Sequence, residues 1–229
     1  MNNNYDIIHN IELLNKGLPT KFLDLGIKEE LKRKLKKNSY LIYYPYPDSE
    51  KVIYYNKIEP KISLLEIITK EELEHRKILG SIFSLGVESS TFGDIVIYNN
   101  HYYFYVLEEM KDYFMNNLIN IGKINVRLEE RDLDLLKDYK REYDDIELIV
   151  SSERIDTIIS RLIGINRTKI KKLINDKDIL LNNNLLKETS KKLNKDDLFS
   201  IRKYGKYKYN GIIKNTKSGN IIVNIKKYK

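Results

Sequence analysis

The chain has 229 residues, 41% hydrophobic and 32% charged, with no cysteine and a formal net charge of +8. Such a length and composition fit a folded protein of two or three small domains and exclude a disordered chain. The missing cysteines exclude disulfides, thiolate zinc sites and Cys nucleophiles, and no apolar run approaches the length of a membrane span.

The charge is unevenly placed. Residues 151–229 hold 20 Lys and Arg against 7 Asp and Glu, or +13, while residues 1–150 hold 21 against 26. A merely Lys-rich composition would enrich the whole chain. A compact basic segment behind a mildly acidic body points instead to a polyanionic partner, most often nucleic acid. The sequence opens Met1-Asn2-Asn3-Asn4-Tyr5-Asp6, with no basic stretch before an apolar core. No secretory leader is expected, and the cytoplasm is the default location.

Residues 6–16 and 23–37 read as two helices, the second with Leu31 and Leu35 on one face and Lys32, Arg33, Lys36 and Lys37 around them. Residues 39–44 and 52–55 read as Tyr-rich strands separated by Pro45 and Pro47. This first unit is assigned to 1–60.

Residues 61–130 follow a β-α-β-β-α-β order. Strands are expected at 63–68, 94–98, 102–106 and 123–129, with helices from Thr69 to about Leu85 and over 108–121. Thr69 and Glu72 form a capping box for the first helix, and Gly86 and Gly122 are the stops. The order predicts a ferredoxin-like domain, as in RNA-recognition domains and many unrelated proteins. One alternating set among Tyr102, Tyr103, Phe104, Tyr105 and Val106 could stack bases, but the RNA-recognition aromatic pattern is missing, so core packing is expected. His75 and Arg76 read as structural or as a partner contact, because no nucleophile or paired carboxylate accompanies them. His9, His75 and His101 show no metal-ligand spacing.

Residues 131–149 are acidic and read as a linker with a short helix. The basic module is assigned to 150–229. Ile155, Ile158, Ile159 and Leu162 recur at helical spacing, and Asn166 is placed to cap a second helix that buries Ile170, Leu173 and Ile174. Short strands are expected at 179–181, 198–202, 207–213 and 221–225. The fold class is therefore α+β.

Within this module, Arg154-Ile155-Asp156, Ile165-Asn166-Arg167-Thr168-Lys169, Leu173-Ile174, Ile179-Leu180-Leu181-Asn182 and Asp197-Leu198-Phe199-Ser200-Ile201-Arg202 resemble the S-four-type RNA-binding domain. Lys177, Asn183 and Asp196 stand where that domain has Gly. From about Lys21 onward the chain is similar to the YlmH family. The similarity rests on Ser63-Leu64-Leu65-Glu66-Ile67, His75-Arg76-Lys77-Ile78-Leu79-Gly80, Gly93-Asp94-Ile95, Gly122-Lys123-Ile124-Asn125-Val126 and the junction Val150 to Asp156. Lys77 replaces the family's acid, Ser89 its Arg, and Pro45-Tyr46-Pro47 lies near its Gly-Gly-Tyr turn, although Glu50-Lys51 is kept.

The resemblance implies a cytoplasmic, ribosome-associated factor with no enzymatic activity, no catalytic residue, no cofactor and no metal. Its partners would be large-subunit ribosomal RNA and tRNA, with a possible protein partner in quality control and no membrane. It would be a monomer that supports C-terminal tailing of stalled chains. The alternatives are an RNA-modifying enzyme of the pseudouridine synthase or methyltransferase type, and a cell-division regulator acting through protein contacts. The RNA-binding residues expected are Arg154, Asn166, Arg167, Thr168, Lys169, Lys171 and Lys172 on the helix pair, with phosphates met by cations and by N–H groups at a helix start. Arg202, Lys203, Lys206 and Lys208 form a second basic cluster around Gly205, for which phosphate contact and a solvated edge both stay open. Asp156 is expected to orient Arg154.

Overall fold

A computed structural model of the chain describes residues 3–36 and 39–229. The expected end of the second helix at Lys37, and Met1 and Asn2 of the opening segment, lie outside them. The chain divides into two compact units, Met1–Lys140 and Arg141–Lys229.

The first unit opens with α1 (Asn3–Asn15) and α2 (Leu25–Lys34). Asp24 caps α2 by accepting from the Ile27 N–H at 3.0 Å. A short hairpin follows, β1 (Leu41–Tyr43) and β2 (Ile53–Tyr55). Ile7, Leu14, Leu23, Leu31, Val52 and Tyr54 are buried together between these elements.

Next come β3 (Ile62–Ile68), α3 (His75–Ser84), β4 (Phe92–Tyr98), β5 (His101–Leu107) and α4 (Lys111–Asn117). They are followed by the two-residue strands β6 (Asn120–Ile121) and β7 (Ile124–Asn125), then β8 (Arg127–Arg131). The four long strands form an antiparallel sheet in the order β4-β5-β3-β8. Asn99 and Asn100 have φ of 51° and 61°, so the β4–β5 turn uses a residue type that tolerates this region better than most non-glycine residues.

Two details depart from expectation. Thr69 does not cap a helix: its hydroxyl accepts from the Glu71 N–H at 3.0 Å in a local turn, and α3 starts only at His75. Leu73 is the reason. It is buried, and its N–H donates to the Tyr102 hydroxyl at 2.8 Å, which keeps the chain out of a helix until that side chain is placed. Gly122 does not end a helix either. It sits at φ 62° in the β6–β7 turn, while α4 stops at Asn117 so that Leu118 and Ile121 reach the core.

Both faces of this sheet are covered. Leu65, Ile67, Tyr102, Phe104 and Val106 pack with Ile78, Ile82 and Phe114 from α3 and α4. Leu64, Tyr103, Tyr105 and Leu107 pack with Phe22, Tyr46 and Ile53 from the first sixty residues and with Leu136. Tyr105 is fully buried, with its hydroxyl donated to the Pro45 carbonyl at 3.2 Å. The strand tyrosines are core, as expected, and not a base-stacking platform.

The second unit begins with β9 (Tyr143–Val150) and continues with α5 (Ile155–Ile163), α6 (Arg167–Asn175), β10 (Ile179–Leu181) and β11 (Asn184–Leu185). It closes with β12 (Leu198–Ile201), β13 (Gly205–Asn215) and β14 (Ile221–Tyr228). Its sheet runs β11-β10-β12-β13-β14-β9. The helix pair packs Ile155, Ile158, Ile159, Ile170 and Ile174 with Phe199, Tyr207, Tyr209, Val223 and Ile225 of the sheet.

The acidic stretch read as a linker is built differently. A 3-10 turn at Leu133–Leu136 closes the first unit, and from Tyr143 the chain is an edge strand of the second. There Asp145 lies across from Lys226 and Asp144 across from Lys227, while Lys229 reaches Glu142 at 3.0 Å. Opposite charges facing across strands hold the register. They also neutralise part of the basic excess: Arg141–Lys229 holds 21 Lys and Arg against 11 Asp and Glu, or +10.

Candidate nucleic-acid interface

The helix pair turns sharply between α5 and α6. Gly164 supplies the left-handed residue at φ 67°, and the Ser160 hydroxyl donates to the Ile165 carbonyl at 2.6 Å. Asn166 then caps α6, its Oδ1 accepting from the Lys169 N–H at 3.0 Å. This leaves the N–H groups of Arg167 and Thr168 at the open end of the helix, where an anion is favoured. Arg167 and Lys171 are four residues apart, as are Thr168 and Lys172, so each pair stacks along the helix, Arg167 and Lys171 flanking the buried stripe of Ile170 and Ile174 and Thr168 and Lys172 facing away from it. Arg167, Thr168, Lys169, Lys171 and Lys172 are all exposed. Among the described residues, none of these four cations has a carboxylate partner.

The remaining candidates stand in other surroundings. Arg154 forms the start of α5 and holds Asp156 through two hydrogen bonds, Nε to Oδ1 at 3.1 Å and Nη2 to Oδ2 at 2.7 Å. Burial alone would raise the Asp156 carboxyl. The Arg154 hydrogen bonds and charge, the Thr157 N–H and the charge of Arg167 outweigh it and hold the carboxyl below its ordinary value. Arg167 is therefore close enough to feel the Arg154–Asp156 pair. Arg202 reaches Asp178 at 3.2 Å, Lys208 reaches Asp196 at 2.9 Å, and Lys206 lies 4.9 Å from the Tyr228 ring centre. Lys203 is exposed in the β12–β13 turn at φ 71°. Ten of the eleven candidates thus separate into a set around the start of α6 and a second cluster whose arginine and one of whose lysines are tied to carboxylates, while Arg154 stands apart at the start of α5, tied to Asp156.

Sequence reasoning missed Lys187. It lines a shallow groove with Lys171, Asn175 and Ser190, brought there by the loop after β11. No motif marks it, and only the fold places it beside α6. Glu153 was also missed. Lys192 pairs with it at 2.7 Å and, against the raising effect of burial and with help from the Tyr209 hydrogen bond, holds its carboxyl below its ordinary value. The Tyr209 hydroxyl donates to Glu153 at 2.8 Å, so this carboxylate anchors the start of α5 to the sheet core.

In the first unit, Asp94 accepts from the Tyr46 hydroxyl at 2.8 Å and from the Glu50 N–H at 2.7 Å. Lys51 donates to the carbonyls of Ser89 and Phe92 at 2.5 and 2.7 Å. Burial lowers the Lys51 ammonium to about 8 against the raising effect of Asp94, Asp24 and Glu50. These contacts brace the hairpin on the sheet and form no open site. Among the described residues no group of three or more His, Cys, Asp or Glu could hold a metal ion, and no helix is long and apolar enough to cross a membrane.

The chain is a mixed α+β protein with several antiparallel sheets and a cationic helix in its second unit, and comparison with known proteins shows what parts of it are similar to. Residues 59–135 match the family model described as "Putative RNA-binding domain in YlmH". It is 28% identical over 137 residues to "Ribosome-associated protein quality control protein P2" of Bacillus subtilis, a match that covers 58% of this chain and 52% of that one. The chain thus spans about half the length of this curated relative. A solved structure, "Cell division protein ylmH from Streptococcus pneumoniae", aligns at 25% identity with a TM-score of 0.48, covering 59% of this chain and 93% of that one.

Proposed function

We propose that this protein is a non-enzymatic RNA-binding factor that associates with the large ribosomal subunit and supports rescue of stalled nascent chains. In this reading residues 61–130 are a ferredoxin-like domain and the second unit is an S-four-type module. The observation that carries it is the set of Arg167, Lys169, Lys171 and Lys172, exposed around the start of α6 with no carboxylate partner among the described residues. Cations without internal partners on a rigid helix, beside two helix-start N–H groups, suit a phosphate backbone. The name of the Bacillus subtilis relative supports the ribosomal setting. Arg154 is assigned as the residue that fixes the helix pair with Asp156, and Arg167 as the principal phosphate contact, because Arg can engage one phosphate through two parallel bonds. Ultraviolet crosslinking in cells followed by sequencing of the bound RNA tests this. Enrichment of large-subunit ribosomal RNA and tRNA is the expected result. Recovery of no RNA above background would contradict it.

A further inference from the structure

The loop after α6 and the β12–β13 turn lie side by side, because Arg202 donates from its backbone to the Asp178 carbonyl at 2.9 Å and from its side chain to the Asp178 carboxylate at 3.2 Å. Between them is an open depression lined by Lys177, Asp178, Arg202, Lys203, Tyr204 and Gly205. Tyr204 is 44% exposed. Three cations and one carboxylate surround it, and that carboxylate holds Arg202 in place.

The backbone adds a second observation. Lys177 has φ 59° and Lys203 φ 71°, a region that Lys enters rarely and Gly enters freely. Lys177 is the left-handed residue of the motif that ends α6: its N–H donates to the Ile174 carbonyl at 3.0 Å, and the Asp178 N–H donates to Leu173 at 2.8 Å. Glycine is the favoured residue there. On both loops flanking one depression, a strained position holds a cation. Neither lysine has a carboxylate partner among the described residues.

We infer that this depression is a subsite for an unpaired nucleotide, with its base stacked on Tyr204 and its phosphate between Lys177, Arg202 and Lys203. It rests on the proposed RNA-binding reading and goes beyond it, since it makes the module a reader of single-stranded as well as helical RNA. Stacking on an exposed ring needs no base-specific hydrogen bond, so the subsite tolerates any base.

The chain has no Trp, so Tyr204→Trp introduces a single reporter beside the depression. The full-length protein is titrated with a blunt RNA hairpin and with the same hairpin carrying a short tail of unpaired uridines. The tailed hairpin should bind about tenfold tighter than the blunt one, the gain of one stacked base. Tyr204→Ala should bring the two RNAs level, Lys177→Gly should reduce the gain without abolishing it, and Tyr204→Phe should keep it. Emission of the Tyr204→Trp variant should fall with the tailed hairpin and not with the blunt one. If the blunt hairpin binds and the tail adds neither affinity nor quenching, the subsite is wrong while the helix-face reading stands. If neither RNA binds, both fail.

Discussion

Arg154 and Asp156 form a fork-to-carboxylate pair across two residues at the first turn of α5, with the carboxylate buried and the guanidinium half-exposed. The pair also fixes Thr157, whose N–H donates to Asp156 Oδ1 at 2.8 Å. Its first consequence is for stability against pH. Asp156 titrates below its unfolded value, so the folded state favours the ionised form. That stabilisation is fully present above about pH 4, near the unfolded carboxylate value, and is lost as pH falls through the lower folded value. Asp156→Asn should cost about 1–2 kcal/mol at pH 7 through the weakened hydrogen bonds, and the difference from the parent should shrink below pH 4. Urea denaturation at pH 7, 5 and 3 checks it.

The left-handed Lys177 predicts a gain. Lys177→Gly should stabilise the fold by about 1 kcal/mol, the usual cost of a non-Gly residue in this region. Lys177→Ala should be close to neutral, because Ala meets the same steric penalty. Chemical denaturation of the three proteins distinguishes strain from a lost side-chain contact.

Gly93 predicts the opposite. A Cβ built there would lie 3.0 Å from the Phe22 ring and 3.0 Å from Tyr105 Cβ, both in the core between the sheet and the first sixty residues. Gly93→Ala should destabilise the first unit by about 1–3 kcal/mol through overpacking. Thermal melts of Gly93→Ala and of Gly80→Ala, whose added Cβ meets nothing within 4 Å, give the contrast.

Much of this architecture could be read from residue pattern. The period of Ile155, Ile158 and Ile159 and the cap at Asn166 marked the helix pair, since both signals are local. The mixed α+β character was legible for the same reason, but the short strands β6 and β7 between α4 and β8 were not. The start of α3 was not, because a buried Leu73 and its bond to Tyr102, 29 residues away, override the capping signal of Thr69. The acidic run was misread as a linker because Asp144 and Asp145 are matched by Lys227 and Lys226, more than eighty residues further on. The candidate site shows the same division. Arg167 and its neighbours follow from a motif, whereas the depression around Tyr204 depends on two turns that only the sheet brings together.

The helix face also predicts a salt dependence. With four cations on α6, log K for large-subunit ribosomal RNA should fall with log salt at a slope of roughly −3 to −4, and Arg167→Ala should reduce the slope by about 1. Fluorescence anisotropy across a salt series measures both. Binding that is insensitive to salt would remove the phosphate-contact account.

The central claim, that the cations of α6 attach this protein to the large ribosomal subunit, is tested most directly by sucrose-gradient sedimentation of ribosomes from cells. The measurement compares the parent chain with an Arg167→Ala, Lys171→Ala double variant whose folding is confirmed by circular dichroism. The account predicts that the parent travels with the large subunit and that the folded double variant stays at the top of the gradient. A folded double variant that travels with the large subunit as the parent does would contradict it.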